Sequence, residues 1–249
     1  MAKKYAVSNH KGGVGKTTST VNIGAALASK GKKILLIDLD PQANLSQSFG
    51  IKNQEITIYE NLKGEPLNII EIKKNLYVIS SSLDLSAAEI ELSSETGREY
   101  ILKDVITKIE DSYDYIFIDC PPSLGILTIN ALTASDYIIM PLTAEFLPFK
   151  GIAKLNEIIQ KIKKRLNPSL EIACVFFTQY DARKVLNKDV SLSIKDYFKD
   201  KVLKSTISNN ISLAEAPSQG LDIFRYNKKS KGALDYMELC NEMLDKRIL

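Results

Sequence analysis

An α/β fold with a doubly wound, mostly parallel sheet and helices on both faces is what this sequence predicts, and three observations predict it. From residue 4 onward short apolar runs alternate with longer helical patterns, the order in which parallel strands and their crossover helices are written. Ser8–Thr18, which reads Ser-Asn-His-Lys-Gly-Gly-Val-Gly-Lys-Thr-Thr, is a glycine-rich turn between the apolar Tyr5-Ala6-Val7 and a helix-like run ending near Lys30. Two further apolar runs end in acids, Ile34–Ile37 in Asp38 and Asp40, and Tyr115–Ile118 in Asp119. Right-handed crossovers would put every strand's C-terminal end on one edge, where ligands bind.

Taken in order, the apolar runs predict strands at Lys4–Ser8, Lys33–Asp38, Leu76–Ser80, Tyr115–Asp119, Tyr137–Pro141, Ile172–Thr178 and Lys201–Ser205. The helical patterns between them fall at about Lys16–Lys30, Ala43–Phe49, Ala87–Leu92, Gly97–Glu110, Leu124–Thr133, Gly151–Leu166, Lys188–Phe198 and Lys231–Leu244. Gly50–Asn75 is the least regular stretch, polar and loop-like around Lys63-Gly64-Glu65-Pro66, and reads as a surface insertion. With no internal repeat, low-complexity tract or Pro/Gly/Ser-rich linker, residues 1–249 read as a single domain.

The bulk numbers narrow the chemistry. A chain of 249 residues with 45% hydrophobic residues can bury a substantial core. Lys+Arg 33 against Asp+Glu 30 gives a net charge of +3, too small to imply nucleic acid, so any basic surface must be local. Cys120, Cys174 and Cys240 form no Cys-x-x-Cys pair, and His10 is the single histidine, which argues against a disulfide framework and a zinc or iron–sulfur site. Met-Ala-Lys-Lys-Tyr leads into a charged strand without an apolar signal region, and no apolar run approaches the ~20 residues of a membrane span. A reducing cytoplasm is the expected setting.

The glycine-rich turn has the makings of a phosphate-binding loop. Gly12, Gly13, Val14 and Gly15 let successive backbone N–H groups point into one concavity, the following helix presents its positive end, and Lys16 supplies a mobile charge for β- and γ-phosphates. Thr17 would ligate Mg²⁺, with Thr18 as a second hydroxyl near the α-phosphate. The usual pattern wants glycine where this chain has His10, and instead Lys11 precedes Lys16 by five residues. Asp38 and Asp40, spaced i,i+2, can leave the strand on one side. A carboxylate there can orient water or hold Mg²⁺ through water, although an acid at a strand end is also ordinary turn chemistry. Asp119 repeats the pattern ahead of Cys120-Pro121-Pro122-Ser123. That turn could sense a γ-phosphate, or be a plain strand-to-helix loop with Ser123 as N-cap.

Lys11–Thr18 resembles the deviant Walker A motif of the ParA/MinD family of P-loop ATPases. The Asp38-x-Asp40-Pro41-Gln42-Ala43-Asn44 and Asp119-Cys120-Pro121-Pro122-Ser123 segments match the same family in the same order. So do Asp84–Leu92, Tyr180–Arg183, Leu213–Gly220 and Tyr226 to Gly232-Ala233, so the resemblance covers essentially the whole chain and is nearest to the chromosome and plasmid partition ATPases. It implies ATP and Mg²⁺ as ligands and slow, partner-stimulated hydrolysis. It implies an ATP-dependent homodimer that binds non-specific DNA, and a ParB-like activator. Carried over, Lys16 holds the β/γ-phosphates, Thr17, Asp40 and Asp119 serve Mg²⁺, Asp40 positions water, and Lys11 acts across the dimer with Gly12 allowing close approach.

One stretch departs from the family. Members that bind DNA commonly carry Pro-Arg-Asn-Val-Arg before the Leu-Ser-Glu-Ala-Pro-Ser segment, and here Ser208-Asn209-Asn210-Ile211-Ser212 stands in its place, with Asn209 and Ser212 where the arginines would be. Arg183, Lys184 and Lys204 are the candidates for a replacement patch, which would make the chain nucleoid-associated. The alternative is a positioning ATPase acting on a membrane or a protein cargo. The last residues, Leu239–Leu249, intersperse acids and read as a helix docked on the body, with no stable membrane anchor expected. Thr178–Asp181 and Ile207–Asn210 are candidates for contacting adenine.

Overall fold

The computed structural model describes residues 1–144 and 148–249, with side chains left undescribed at 148–151. Among the described residues eight strands form one sheet: β1 (Lys3–Val7), β2 (Ile34–Asp38), β3 (Ile70–Lys73), β4 (Leu76–Ile79), β5 (Tyr115–Asp119), β6 (Tyr137–Thr143), β7 (Glu171–Tyr180) and β8 (Val202–Ser208). Their order is β3-β4-β2-β5-β1-β6-β7-β8, and every neighbouring pair is parallel except β3 with β4. The crossovers carry α1 (Lys16–Ser29), α2 (Asn44–Ser48), α3 (Ile58–Leu62), α4 (Leu85–Glu91), α5 (Ile101–Thr107), α6 (Ile126–Ala134), α7 (Pro148–Arg165) and α8 (Val185–Phe198). After β8 come α9 (Ile211–Glu215), α10 (Ile223–Asn227) and α11 (Lys231–Asp245).

Both faces of the sheet are covered, which is why β2 and β5 are buried at every residue and read as unbroken apolar runs. Side chains alternate between two cores. Leu35, Ile37, Ile116 and Ile118 point to the layer that includes Leu127, Ala131, Leu155 and Ile159. Ile34, Leu36, Tyr115 and Phe117 point to the layer of Ile23, Leu27, Tyr236, Leu239 and Met243. Each such side chain contributes about 1.5–3 kcal/mol on burial, so the two layers rather than any polar contact hold the strands in register. Gly24 sits mid-helix in α1 despite its poor helix propensity because a Cβ there would lie 2.7 Å from Leu36 Cδ2.

Most predicted elements are present with ends moved by a few residues, and four elements are present that the sequence pattern does not predict. Gly50–Asn75 is not a plain loop: α3 begins at a capping box in which Thr57 accepts from the Tyr59 N–H and Glu60 reaches back to the Thr57 N–H at 2.7 Å. β3 then pairs with β4 as an antiparallel edge. The helices α9 and α10, each five residues, are the other two. β8 starts and ends later than Lys201–Ser205, at Val202–Ser208. Among the described residues no helix is long and apolar enough to cross a membrane, and α11 buries Tyr236, Leu239, Cys240 and Met243.

The strand register brings the loop and the acids together. Val7 pairs with Asp119 and Asp119 pairs with Asp38, so the entry to the glycine-rich loop and two acids stand in one row across β1, β5 and β2.

Candidate functional site

The glycine-rich loop is held from outside so that its backbone stays open inside. The Asn9 side-chain amide donates to Pro141 O at 2.8 Å, and Asn9 Oδ1 accepts the Lys11 N–H at 3.0 Å. From the end of β7, the Thr178 hydroxyl donates to Val14 O at 2.8 Å and Gln179 Nε2 to Gly13 O at 2.8 Å. Val14 is buried behind the loop. Gly13 (φ +73°) and Gly15 (φ +80°) occupy the left-handed region that the turn requires. Gly15 is the N-cap of the 14-residue α1 and brings no side-chain cap, and no acid lies in the first turn, so the helix end is left for an external anion.

Lys16 opens α1 and is only 7% exposed, with Nζ 3.3 Å from Lys11 O. Burial pulls its ammonium below the ordinary lysine value, while the Asp119 and Asp40 carboxylates pull the other way. Thr20 donates to Lys16 O at 3.0 Å and lies 3.3 Å from Asp119 Oδ1. Asp119 is fully buried, and burial together with the facing Asp38 carboxylate holds it well above the usual carboxylate range. Among the described residues its Oδ2 has no hydrogen-bond partner. A buried, partnerless carboxylate oxygen beside a threonine hydroxyl and a lysine fits a divalent cation near the phosphates. Among the described residues no cluster of three or more His, Cys, Asp or Glu could hold a metal. A cation here would therefore share its shell with phosphate oxygens and water, as suits Mg²⁺.

The two acids at the end of β2 separate in role. Asp38 is fully buried and accepts the Ser46 N–H at 2.8 Å, the Ser46 hydroxyl at 2.7 Å and the Asp40 N–H at 3.3 Å. Burial pushes it up to about 6 against those hydrogen bonds. Asp40 instead lines the cleft, with one carboxylate oxygen accepting the Gln42 N–H at 2.9 Å. The i,i+2 spacing thus delivers one carboxylate to the cleft and one to the frame beneath it, rather than both to one side.

The cleft encloses about 620 Å³ and is lined by Gly12, Gly13, Gly15, Lys16, Thr17, Thr18 and Asp40 of the predicted set. Pro122, Gln42, Asn44, Gln47, Ser48, Gln179, Pro217 and Ser218 complete it. Lys11 has an exposed side chain at the rim. A larger cleft of about 930 Å³ on the other side of α2 shares Gln47, Pro217 and Ser218 but none of the phosphate loop. Of the adenine candidates, Thr178 and Gln179 brace the loop, and Ile207–Asn210 are not among the lining residues. Ser123 is not a helix cap: α6 is capped by Gly125, and the Ser123 hydroxyl donates to Glu89 at 3.3 Å.

Of the candidate basic residues, Arg183 and Lys184 follow β7 and Lys204 lies within β8. Arg183 Nε and Nη2 each lie 2.9 Å from an Asp181 carboxylate oxygen, and those hydrogen bonds draw Asp181 down to about 2. Lys184 is the N-cap of α8 at the cleft edge of the sheet. Lys204 is four residues back from the end of β8, about 13 Å along the strand. Asn209 is exposed and neutral.

A family model described as an AAA domain matches residues 2–172. The chain is 42% identical over 249 residues to the chromosome-partitioning ATPase Soj of Treponema pallidum, covering 98% of each. It is 44% identical over 250 residues to the sporulation initiation inhibitor protein Soj of Bacillus subtilis, again over 98% of each. Among solved structures it is similar to a cobyrinic acid a,c-diamide synthase from Mycobacterium smegmatis with bound ADP and magnesium. That likeness has a TM-score of 0.87 at 34% identity, over 99% of this chain and 96% of the other.

Proposed function

The chain belongs to the ParA/Soj family of P-loop partition ATPases, and from that premise we propose that its ATP-bound form is a sandwich of two copies in which Lys11 of each reaches the other's nucleotide. Gly12 is the observation that carries the reading. Its φ is not in the left-handed region and a Cβ on it would meet nothing within 4 Å, so its own chain does not demand glycine there. A close approach by another molecule would.

Within each copy the geometry supports an in-line phosphoryl transfer to water, which asks for positioning and charge rather than a covalent nucleophile. The loop N–H groups and the α1 end cradle phosphates, Lys16 neutralises the β/γ oxygens, and Asp40 orients the attacking water. Thr17, Asp40 and Asp119 would hold Mg²⁺, partly through water, and the ion would supply positive charge that offsets the charge on the phosphates. Hydrolysis is slow alone and accelerated by a ParB-like activator, and the ATP dimer binds duplex DNA without sequence preference. The higher identity to the chromosome-partitioning ATPase Soj of Treponema pallidum than to the cobyrinic acid synthase favours this over an amide-forming role.

A second reading is favoured by one observation: where family arginines would stand, Asn209 and Ser212 are neutral, and Arg183 is engaged by Asp181. A positioning ATPase acting on a protein cargo or an anionic membrane would need no such arginines. Co-sedimentation with random duplex and with anionic vesicles, with and without ATP at two salt concentrations, separates the two. ATP-dependent duplex binding that weakens with salt supports partitioning on DNA. Binding to neither surface removes that arm and leaves the protein cargo.

A further inference from the structure

Asp40, the residue given the water-positioning role above, does not stand alone at the end of β2. Its N–H donates to Asp38 Oδ1 at 3.3 Å, and its carbonyl oxygen accepts from the Ser81 hydroxyl at 2.9 Å. Asp38 Oδ2 accepts from both the N–H and the hydroxyl of Ser46, at 2.8 and 2.7 Å, and the Ser46 oxygen in turn accepts the Ser81 N–H at 2.9 Å. The links close a ring from Asp40 through Asp38, Ser46 and Ser81 back to Asp40. All four residues are 7% exposed or less.

The ring joins three separate pieces of chain: the end of β2, the first turn of α2 and the segment that leaves β4. The Asp40 main chain is thereby held at its N–H by a carboxylate and at its carbonyl by a hydroxyl 41 residues away, which joins the Ala43 N–H at 2.9 Å on the same oxygen. The carboxylate of Asp40 carries a single contact of its own from within this turn, the Gln42 N–H. Its aim into the cleft is consequently set by where the main chain is held. Displacing a positioned group by about 1 Å can lower a rate by about 10²-fold.

We propose that Ser81 and Ser46 are positioning residues for hydrolysis, acting through Asp38 and the Asp40 main chain. The inference rests on the reading of Asp40 as the residue that orients water. Ser81→Ala removes the hydroxyl that Asp40 O accepts from and leaves the Ser81 N–H bonded to Ser46, so it cuts one link of the ring. Ser46→Ala cuts two, the hydroxyl to Asp38 and the acceptor for the Ser81 N–H.

Single-turnover hydrolysis by the full chain, alongside equilibrium binding of a fluorescent ATP analogue and thermal melting, tests it. Ser81→Ala is expected to slow the step about tenfold and Ser46→Ala more, with analogue affinity within about twofold of the parent. Ser81→Thr, which keeps the hydroxyl, should restore most of the rate, and Ser81→Ala added to Asp40→Ala should slow it no further. An affinity loss as large as the rate loss, or equal loss in Ser81→Ala and Ser81→Thr, would assign the hydroxyls to loop stability alone and overturn the proposal. The parent reading fails separately, if Asp40→Ala hydrolyses ATP at the parental rate. With Asp40→Ala inactive and Ser81→Ala within twofold of the parent, only the ring inference falls.

Discussion

The row of strand ends at Val7, Asp119 and Asp38 and the outer edge built by β7 and β8 both carry charge, in opposite physical settings. In the row the acids are buried, and each oxygen is either bound by a main-chain N–H or by the Ser46 or Thr20 hydroxyl or, like Asp119 Oδ2, without a donor among the described residues. At the edge the Arg183 side chain is 90% exposed and closes on its own i−2 neighbour. Buried charge demands a partner and therefore advertises a ligand. Exposed charge can satisfy itself locally, and its mere presence says little about what binds.

Lys16→Ala is the harshest test of the first region. Removing a preorganised positive charge at the transferring phosphate is expected to lower hydrolysis by at least about 10²-fold, the scale seen on losing one stabilising donor. Multiple-turnover phosphate release would show it, and a rate within tenfold of the parent would mean the row is a structural frame and not a reaction centre. Lys11→Ala should leave nucleotide affinity within about threefold yet weaken the ATP-dependent dimer at least tenfold, about 1.4 kcal/mol. Analytical ultracentrifugation with ATP reads that directly, and an unchanged dimer fraction would return Lys11 to the rim of its own copy.

What was legible in the sequence obeys the same divide. Apolar runs ending in Asp38, Asp40 and Asp119 had to lie on one sheet edge once the crossovers were right-handed, so spacing alone brought Lys16, Thr17, Asp40 and Asp119 together. The spacing could not say that Asp38 turns into the frame, because its partner Ser46 is on the next helix and Ser81 is 41 residues from Asp40. Nor could it show β3. That strand is an edge held by pairing with β4 and by Lys73, whose Nζ lies 3.0 Å from the buried Asp222, 149 residues away. The same carboxylate caps α10 through the Phe224 and Arg225 N–H groups, so two elements absent from the sequence pattern hang on one acid that no local signal marks. The capping box Thr57-x-x-Glu60 was a signal within reach, and it lay in the stretch that reads as a loop.

The gentlest test addresses the outer edge. An arginine that contacts phosphate independently should, when removed, reduce the slope of log affinity against log salt by about 0.9. Arg183 is instead half of a pair with Asp181, bidentate through Nε and Nη2, and the guanidinium is what keeps Asp181 ionised down to about pH 2. Arg183→Ala alone therefore exposes an uncompensated carboxylate near the cleft edge and is expected to weaken duplex binding by an electrostatic repulsion that salt screens. Arg183→Ala with Asp181→Ala removes a pair of zero net charge, and duplex affinity and salt slope should stay within about twofold and 0.3 of the parent, since no phosphate contact is lost. A slope that falls by a full unit in the double variant would mean that Arg183 leaves Asp181 for DNA. The outer edge would then behave as the row does, with its pairing set by the ligand.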